Sequence, residues 1–283
     1  MARYLIVNAD DYGLSPGVSE GIRQAHLKGI VTSTTAMMNQ AHAAPELPKV
    51  LEQCPRLGLG VHLTLTVGKP LLPPERVSSL VDDNGHFLSQ ETYIARVSRI
   101  EPEEVLAEWH AQVERFIQVC GRKPDHLDAH HHCAYFTLEL FQCLLTLAEE
   151  LDCPIRQPYG SDVTSAANYL AGGRVDEDFA KIQSLLARYS SPSAQAFCSE
   201  FYDRDATLPY LKGLIEKIAA SPFFSWELMC HPAIVDDYLF QVSSYTEPRG
   251  REFDVLTDSS IPALLEKYHI ELISFSDINL QPG

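Results

Sequence analysis

The sequence is poor in basic residues and in long apolar segments. It has 22 Lys and Arg residues against 38 Asp and Glu residues, a formal net charge of −16, so its surface repels nucleic-acid phosphates and anionic lipid headgroups. It also lacks a run of about 18 uncharged apolar residues, the length that a membrane-spanning helix needs. We therefore expect neither nucleic acid nor membrane among its partners.

Cysteine-pairing motifs are missing as well. The seven cysteines are odd in number and widely spaced, and no CxxC pair occurs, which argues against a zinc knuckle or a thioredoxin-like site. No Asn-x-Ser/Thr sequon is present, and the apolar run at residues 4–7 is too short for the core of a signal peptide. These absences favour buried, reduced thiols in a cytoplasmic protein.

Predicted strands and helices alternate along the whole chain, without a linker or a low-complexity break. Apolar and β-branched runs predict strands near residues 4–7, 31–38, 57–66, 126–130, 194–199, 223–230 and 271–275. The clearest helix covers residues 102–120, while residues 67–89, 158–175 and 233–250 are predicted to be loops, the first a candidate lid. This alternation predicts an α/β single domain over residues 1–283, a (β/α) barrel-like fold that can be imperfect and carry loop insertions. An open doubly wound sheet is the alternative.

Polar side chains recur where the predicted strands end, and the carboxyl ends of parallel strands meet on the face that holds active sites. The residues concerned are Asn8, Asp10, Asp11, His62, Asp128, His130 and His231. Four separate segments therefore predict one cluster of carboxylates and imidazoles. Two imidazoles with one carboxylate are typical of a catalytic divalent metal site, which keeps positions open for water and substrate.

The histidine-rich stretch is the most specific of these signals. If the strand extends that far, His126, Asp128, His130 and His132 share one face, where four polar groups need a metal ion or hydrogen-bond partners. A surface loop rich in histidine is the alternative. His62 alone is a weaker signal, because a single histidine in a strand is more often a hydrogen-bonded core residue.

Asp10 and Asp11 are adjacent, so in an extended chain their side chains point in opposite directions. One can then bind a metal ion while the other accepts a proton, unless the pair is only an acidic turn or helix cap. The motif around Ser19 matches a nucleophile elbow, but it falls inside a predicted helix, and we interpret Ser19 as a helix residue. Cys133 is interpreted as a packed thiol.

With these residues the chain resembles the YdjC-like carbohydrate deacetylases, and most closely those that act on chitooligosaccharides such as the chitin disaccharide. The resemblance spans nearly the whole chain. It rests on five ordered blocks, at residues 5–15, 29–36, 60–71, 121–132 and 229–233. The chain departs from the family pattern at Ala129, where a small residue such as Ser is usual, and at Ala134, where a second His is usual.

The resemblance implies a barrel-like fold and one divalent metal ion, Mg²⁺ or Zn²⁺, held by Asp11, His62 and His130. It implies Asp10 as the general base and, by analogy with related polysaccharide deacetylases, His231 as the general acid. The implied activity is hydrolysis of an N-acetyl group from N-acetylglucosamine oligosaccharides such as diacetylchitobiose, with release of acetate during chitin oligosaccharide degradation.

Three questions stay open at this stage. The chain could be a metal hydrolase acting on another amino sugar or a phosphoester, or a sugar-binding protein without activity. The small oligosaccharide could be phosphorylated, in which case Arg156, Arg249 and Arg251 are candidate cations for the phosphate. A homodimer, the most common oligomer, is the assembly expected if the chain associates.

Overall fold

The structure, a computed structural model, describes residues 3–159, 170, 175–189 and 191–280. Its strands are β1 Arg3–Tyr12, β2 Ser33–Ala36, β3 Gly58–Leu63, β4 Leu127–Ala129, β5 Ala196–Cys198, β6 Ser225–Cys230 and β7 Ile270–Leu272. Its α-helices are α1 Pro16–Lys28, α2 Ala43–Gln53, α3 Gln90–Ala95, α4 Pro102–Cys120, α5 Leu138–Leu151, α6 Val175–Tyr189, α7 Leu208–Ala220, α8 Leu239–Val242, α9 Glu247–Leu256 and α10 Ile261–Lys267. Most of the loop predicted at residues 158–175 lies outside the described residues.

The strands form one parallel sheet in the order β4-β3-β2-β1-β6-β5, and β7 pairs with the start of β1. Every strand pair is parallel, as expected when helices connect the strands. Within the described ranges, the edge strands β4 and β5 do not pair with each other, so the sheet curls into a half-barrel. The prediction of an imperfect (β/α) barrel is confirmed.

The two faces of β1 have different surroundings. Leu5, Val7 and Ala9 are buried in the main hydrophobic core, together with the apolar stripe of α1. Ile6 packs with Phe275 in a separate small cluster. Period-two alternation therefore places Asn8 and then Asp10 above Ile6 on the concave side of the sheet.

The loop predicted at residues 67–89 is tied to α4. The backbone N–H groups of Leu71 and Leu72 donate to the buried carboxylate of Glu108, at 2.9 to 3.1 Å. Gln112, one turn later on α4, donates to the same carboxylate and to the backbone oxygen of Thr64. These contacts anchor the segment to α4, so they do not support the prediction of a freely moving lid.

Ser19 lies inside α1, as predicted. Its hydroxyl donates to the backbone oxygen of Ser15 and accepts from the N–H of Gly13, so it is used within the fold. Gly21 is required by close packing, because a Cβ there would lie 2.5 Å from the Cα of Ala233.

The seven thiols are free and all but Cys120 are buried. Within the described residues, no helix is long and apolar enough to cross a membrane.

Candidate active site

A cavity of about 710 Å³ opens at the carboxyl ends of the strands. Asp10, Asp11, His62, His130 and His231 all line it, so the structure brings together the five residues predicted to act. The volume lies in the range of small-molecule sites.

Asp10 and Asp11 both face this cavity, which corrects the expectation that they point in opposite directions. The register between β1 and β2 shifts between Ala9 and Tyr12, and Asp11 has a φ of 71°, in the left-handed region. This irregularity turns the Asp11 side chain back toward the concave side. Strand alternation therefore fails at the very residues that the site needs.

Asp11, His62 and His130 form a compact set of possible metal ligands. Asp11 Oδ1 lies 3.3 Å from His62 Nε2 and 3.0 Å from His130 Nδ1, and the two ring nitrogens are 3.2 Å apart. Tetrahedral zinc bonds of about 2.0–2.1 Å separate ligand atoms by about 3.3 Å, and octahedral Mg²⁺ bonds of similar length separate them by about 3.0 Å. The triangle fits either ion.

The Asp11 carboxylate supports the same conclusion. Its Oδ2 accepts from Arg249 at 2.6 Å, while its buried Oδ1 points at the ring nitrogens of His130 and His62. Burial alone would raise the pKa of Asp11, but the Arg249 guanidinium, together with His130 and His62, outweighs it and holds the pKa well below its usual range. Asp11 therefore offers an ionised oxygen that faces the two imidazole nitrogens.

Asp128 orients the ring of His62. Its Oδ1 lies 2.6 Å from His62 Nδ1, and its Oδ2 accepts from Thr35 at 3.0 Å and from Asn8 at 3.2 Å. A carboxylate that holds one ring nitrogen leaves the other free to bind a metal. Burial lowers the pKa of His62, but Asp128 and Asp10 raise it to about 10, so a proton and a metal ion compete for this ring.

A second grouping, Asp10 with His62 and Asp128, is a poorer metal site. The guanidinium of Arg156 lies between the two carboxylates, 2.7 Å from each Asp10 oxygen and 3.1 Å from Asp128 Oδ2. A divalent ion placed there would meet this fixed positive charge. The electrostatics favour the set built on Asp11.

Asp10 is held as an ionised carboxylate at the cavity wall. Arg156 binds both of its oxygens, and Asn8 Nδ2 donates to Oδ1 at 2.8 Å. Burial would raise the pKa of Asp10, but the Arg156 charge and hydrogen bonds lower it below the usual range. Asn8 is itself fixed by His126, whose Nε2 lies 2.9 Å from the Asn8 amide oxygen.

His231 follows β6 and stands between two carboxylates. Its Nε2 lies 4.0 Å from Asp10 Oδ2, and its Nδ1 lies 3.9 Å from Glu252 Oε1. Burial and the Arg249 charge lower the pKa of His231 to about 4, so the ring is neutral near pH 7. Burial raises the pKa of Glu252 to about 7.

The histidine-rich stretch departs from strand alternation after His130. Strand β4 ends at Ala129, and His131 and His132 adopt φ values of 52° and 57° in a tight turn. His131 stacks on His130 with ring centroids 3.8 Å apart, so it supports a predicted ligand.

Of the two departures from the family pattern, Ala129 lines the cavity and Ala134 lies fully buried in the core.

Two of the three arginines considered as partners for a substrate phosphate already pair with acidic side chains of the protein. Arg156 is fully buried against three carboxylates, including Glu227, and Arg249 is paired with Asp11. Arg251 lies near the carboxylate of Asp203, outside the cavity lining. Sequence reasoning thus missed that Arg156 and Arg249 hold the acidic residues of the site.

Removing the charge of Asp128 tests how the His62 ring is oriented. We expect Asp128→Asn to weaken Zn²⁺ affinity by roughly 10- to 100-fold, the usual loss when such a supporting carboxylate is changed. Titration of the metal-free protein with Zn²⁺ measures the effect, and Asp83→Asn, at an exposed position away from the cavity, is the control. An unchanged affinity with an intact fold would contradict this role.

Comparisons with known proteins agree on the kind of protein this is. A sequence model described as YdjC-like protein matches residues 4–267. A carbohydrate deacetylase of Enterococcus faecalis is 34% identical over 276 residues, which cover 97% of each chain. A chitooligosaccharide deacetylase of Proteus mirabilis is also 34% identical, over 98% of this chain and 100% of that one.

Solved structures extend the likeness to the fold. The crystal structure of an Enterococcus faecalis protein, thought to cleave cellobiose phosphate, matches with a TM-score of 0.85 and 32% identity over 98% of this chain and 99% of that one. The Xyl-CE4 domain of a multidomain xylanase from the hindgut metagenome of Trinervitermes trinervoides matches with a TM-score of 0.51 and 7% identity, over 98% of this chain and 90% of that chain. The second likeness concerns the fold alone.

Proposed function

Because this chain belongs to the YdjC-like family, we propose that it is a metal-dependent carbohydrate deacetylase. Its substrates are N-acetylglucosamine oligosaccharides such as diacetylchitobiose, and it releases acetate during the breakdown of chitin oligosaccharides. Relatives named carbohydrate deacetylase and chitooligosaccharide deacetylase support this assignment. We also propose that residues 1–283 act as one domain in the cytoplasm.

Asp11, His62 and His130 would hold the ion. A divalent cation at this position supplies Lewis-acid chemistry, polarising a carbonyl oxygen and making water more acidic. Asp128 keeps the His62 Nδ1 side engaged, which directs Nε2 toward the ion. Arg249 binds Oδ2 of Asp11 and helps to keep it ionised, while Oδ1 faces the two imidazoles.

Asp10 is the general base in this proposal. Its oxygens lie at the cavity wall, next to the ligand set but outside it, with Oδ2 4.0 Å from His62 Nε2. The bidentate contact with Arg156 fixes the orientation of the carboxylate, so that it can receive the proton of an attacking water. The lowered pKa keeps the group unprotonated across the neutral pH range.

His231 is the general acid. Its ring is neutral near pH 7, so it must first gain a proton during the reaction. His231 Nε2 can then donate that proton to the leaving amine. Asp10 Oδ2 lies 4.0 Å from that same nitrogen, so the proton taken from water would pass from Asp10 to His231 once substrate binding shortens this contact to hydrogen-bond length. One proton leaves the water and one reaches the amine, so the step is balanced.

The single observation that carries the proposal is the pairing of the ligand triangle with a separate, ionised carboxylate. Asp11 Oδ1 lies 3.0 and 3.3 Å from two imidazole nitrogens. Asp10 lies beside them, where Arg156 donates a hydrogen bond to its carboxylate. A protein that only binds sugar has no need for this arrangement of buried charges, which is costly to desolvate.

A small substrate panel separates deacetylation from phosphoester hydrolysis. We expect acetate from di-N-acetylchitobiose, or from its phosphorylated form, and no phosphate from either that form or 4-nitrophenyl phosphate. Acetate is measured by a coupled enzyme assay and phosphate by a colorimetric assay on the same samples. Phosphate release without acetate would reject the proposal in favour of a phosphoesterase, and no release at all would favour a binding protein.

A further inference from the structure

A pair of stacked tyrosine rings forms part of the cavity wall beside His231. The Tyr202 and Tyr245 rings lie with centroids 4.1 Å apart and planes 12° apart, and both residues line the cavity. Each ring meets His231 close to edge-on, with centroids 5.6 and 5.8 Å away. Neither ring has a part in the proton transfers described above.

Tyr245 is the fixed member of the pair. Its hydroxyl donates to Glu252 Oε1 at 2.6 Å and accepts from the backbone N–H of Asp203 at 2.7 Å. Its backbone oxygen accepts from Arg249 Nε at 2.9 Å. These contacts hold the ring at one angle, so the ring stacked upon it has a rigid support.

Tyr202 is the open member. The residue is 43% exposed although it lines the cavity, which makes it one of the few large apolar residues in the described part of the chain with so much free surface. Because Tyr245 covers one face of the ring, the free surface comprises the opposite face and the rim. A flat aromatic face at a cavity wall suits a ligand that is itself flat and apolar on one side.

We propose that Tyr202, supported by Tyr245, is the platform on which a pyranose ring of the substrate stacks, next to the sugar that loses its acetyl group. This inference rests on the proposed function, because an oligosaccharide is the ligand that brings a second ring to the site. A pyranose presents C–H groups on its face and hydroxyls at its edge. Ser244 and Glu200 line the same cavity and carry polar groups that suit those hydroxyls.

Direct binding of a sugar tests the platform without depending on turnover. The probe is chitobiose, which lacks acetyl groups, titrated calorimetrically into the metal-loaded protein. We expect Tyr202→Ala to raise the Kd roughly five- to tenfold, the scale of one aromatic stacking contact. Tyr202→Phe keeps the flat ring and stays within about twofold of wild type. Tyr202→Leu keeps apolar bulk without a flat face and weakens binding as Ala does.

The control is Phe240→Ala, which removes another exposed aromatic ring that does not line the cavity. Thermal unfolding of each variant checks the fold, and Leu replaces Ala if the Ala variant does not fold. Equal affinity in wild type and Tyr202→Leu would overturn the platform, as would a wild type that binds no chitobiose. Sugar binding that depends on Tyr202 without any acetate release would support the platform and reject the proposed function.

Discussion

Replacing His130 with Ala will remove both the bound metal and the release of acetate while leaving the fold intact. His130 Nδ1 completes the triangle with Asp11 Oδ1 and His62 Nε2, and two ligands alone hold a catalytic ion poorly. We expect deacetylation to fall by at least about 1000-fold, since Lewis-acid stabilisation contributes several kcal/mol to the transition state. Elemental analysis of dialysed protein and the acetate assay measure the two losses.

The fold should survive because His130 stands at the cavity wall, where truncation enlarges an existing space. Circular dichroism and thermal unfolding check this point. His110→Ala is the matched control, because His110 is a partly exposed histidine on α4 that pairs with Glu150 outside the cavity lining. Full metal content or full activity in His130→Ala would end the assignment of this ligand.

Replacing Asp10 with Asn will have the second largest effect, a loss of turnover with the metal retained. Asp10 lies outside the ligand triangle, so the ion stays, but an amide cannot accept the proton of water. We expect kcat to fall by roughly 100-fold or more, the contribution of a positioned general base. The change also turns an amide N–H₂ toward Arg156, which costs one of the two hydrogen bonds that this guanidinium makes to residue 10.

Metal content and thermal stability must therefore be measured with the rate. Asp83→Asn, at an exposed position outside the cavity lining, controls for the loss of one acidic charge. If Asp10→Asn binds its metal and turns over at the wild-type rate, Asp10 is not the base. If the variant loses its metal as His130→Ala does, Asp10 belongs to the metal site instead.

Local sequence signals predicted most of the scaffold. The helix at Pro102–Cys120 was bounded correctly because Pro stands at its first turn and Gly121 ends it in the left-handed conformation. The strands ending near Asp10 and His62 were found from short apolar runs, and the segment ending at His130 stood out through the alternation of His126, Asp128 and His130. Parallel-strand geometry then brought their ends together, which is why residues from four separate segments of the sequence could be placed in one cavity.

Helix α9 was missed for a physical reason. The residues it buries are Arg249, Glu252 and Leu256, spaced as one helical face but mostly charged. A search for apolar periodicity does not detect a helix whose buried side serves an acidic site. Helix α9 brings Arg249 to Asp11 and Glu252 to His231.

The opposed directions predicted for Asp10 and Asp11 were wrong for a related reason. The register shift after Ala9 and the left-handed Asp11 depend on how β1 meets β2, which no local pattern records. Likewise, the role of Arg156 became visible only when folding placed it between Asp10, Asp128 and Glu227. Contacts between distant segments decide these features, so one sequence read in order does not reveal them.

The most direct test of the account is acetate release from di-N-acetylchitobiose before chelation, after chelation and after the metal is returned. We predict that a chelator abolishes acetate release once elemental analysis shows the protein to be free of metal. About one equivalent of Zn²⁺ or Mg²⁺ should then restore it. Undiminished acetate release from protein shown to contain no metal would contradict the central claim that Asp11, His62 and His130 hold a catalytic ion.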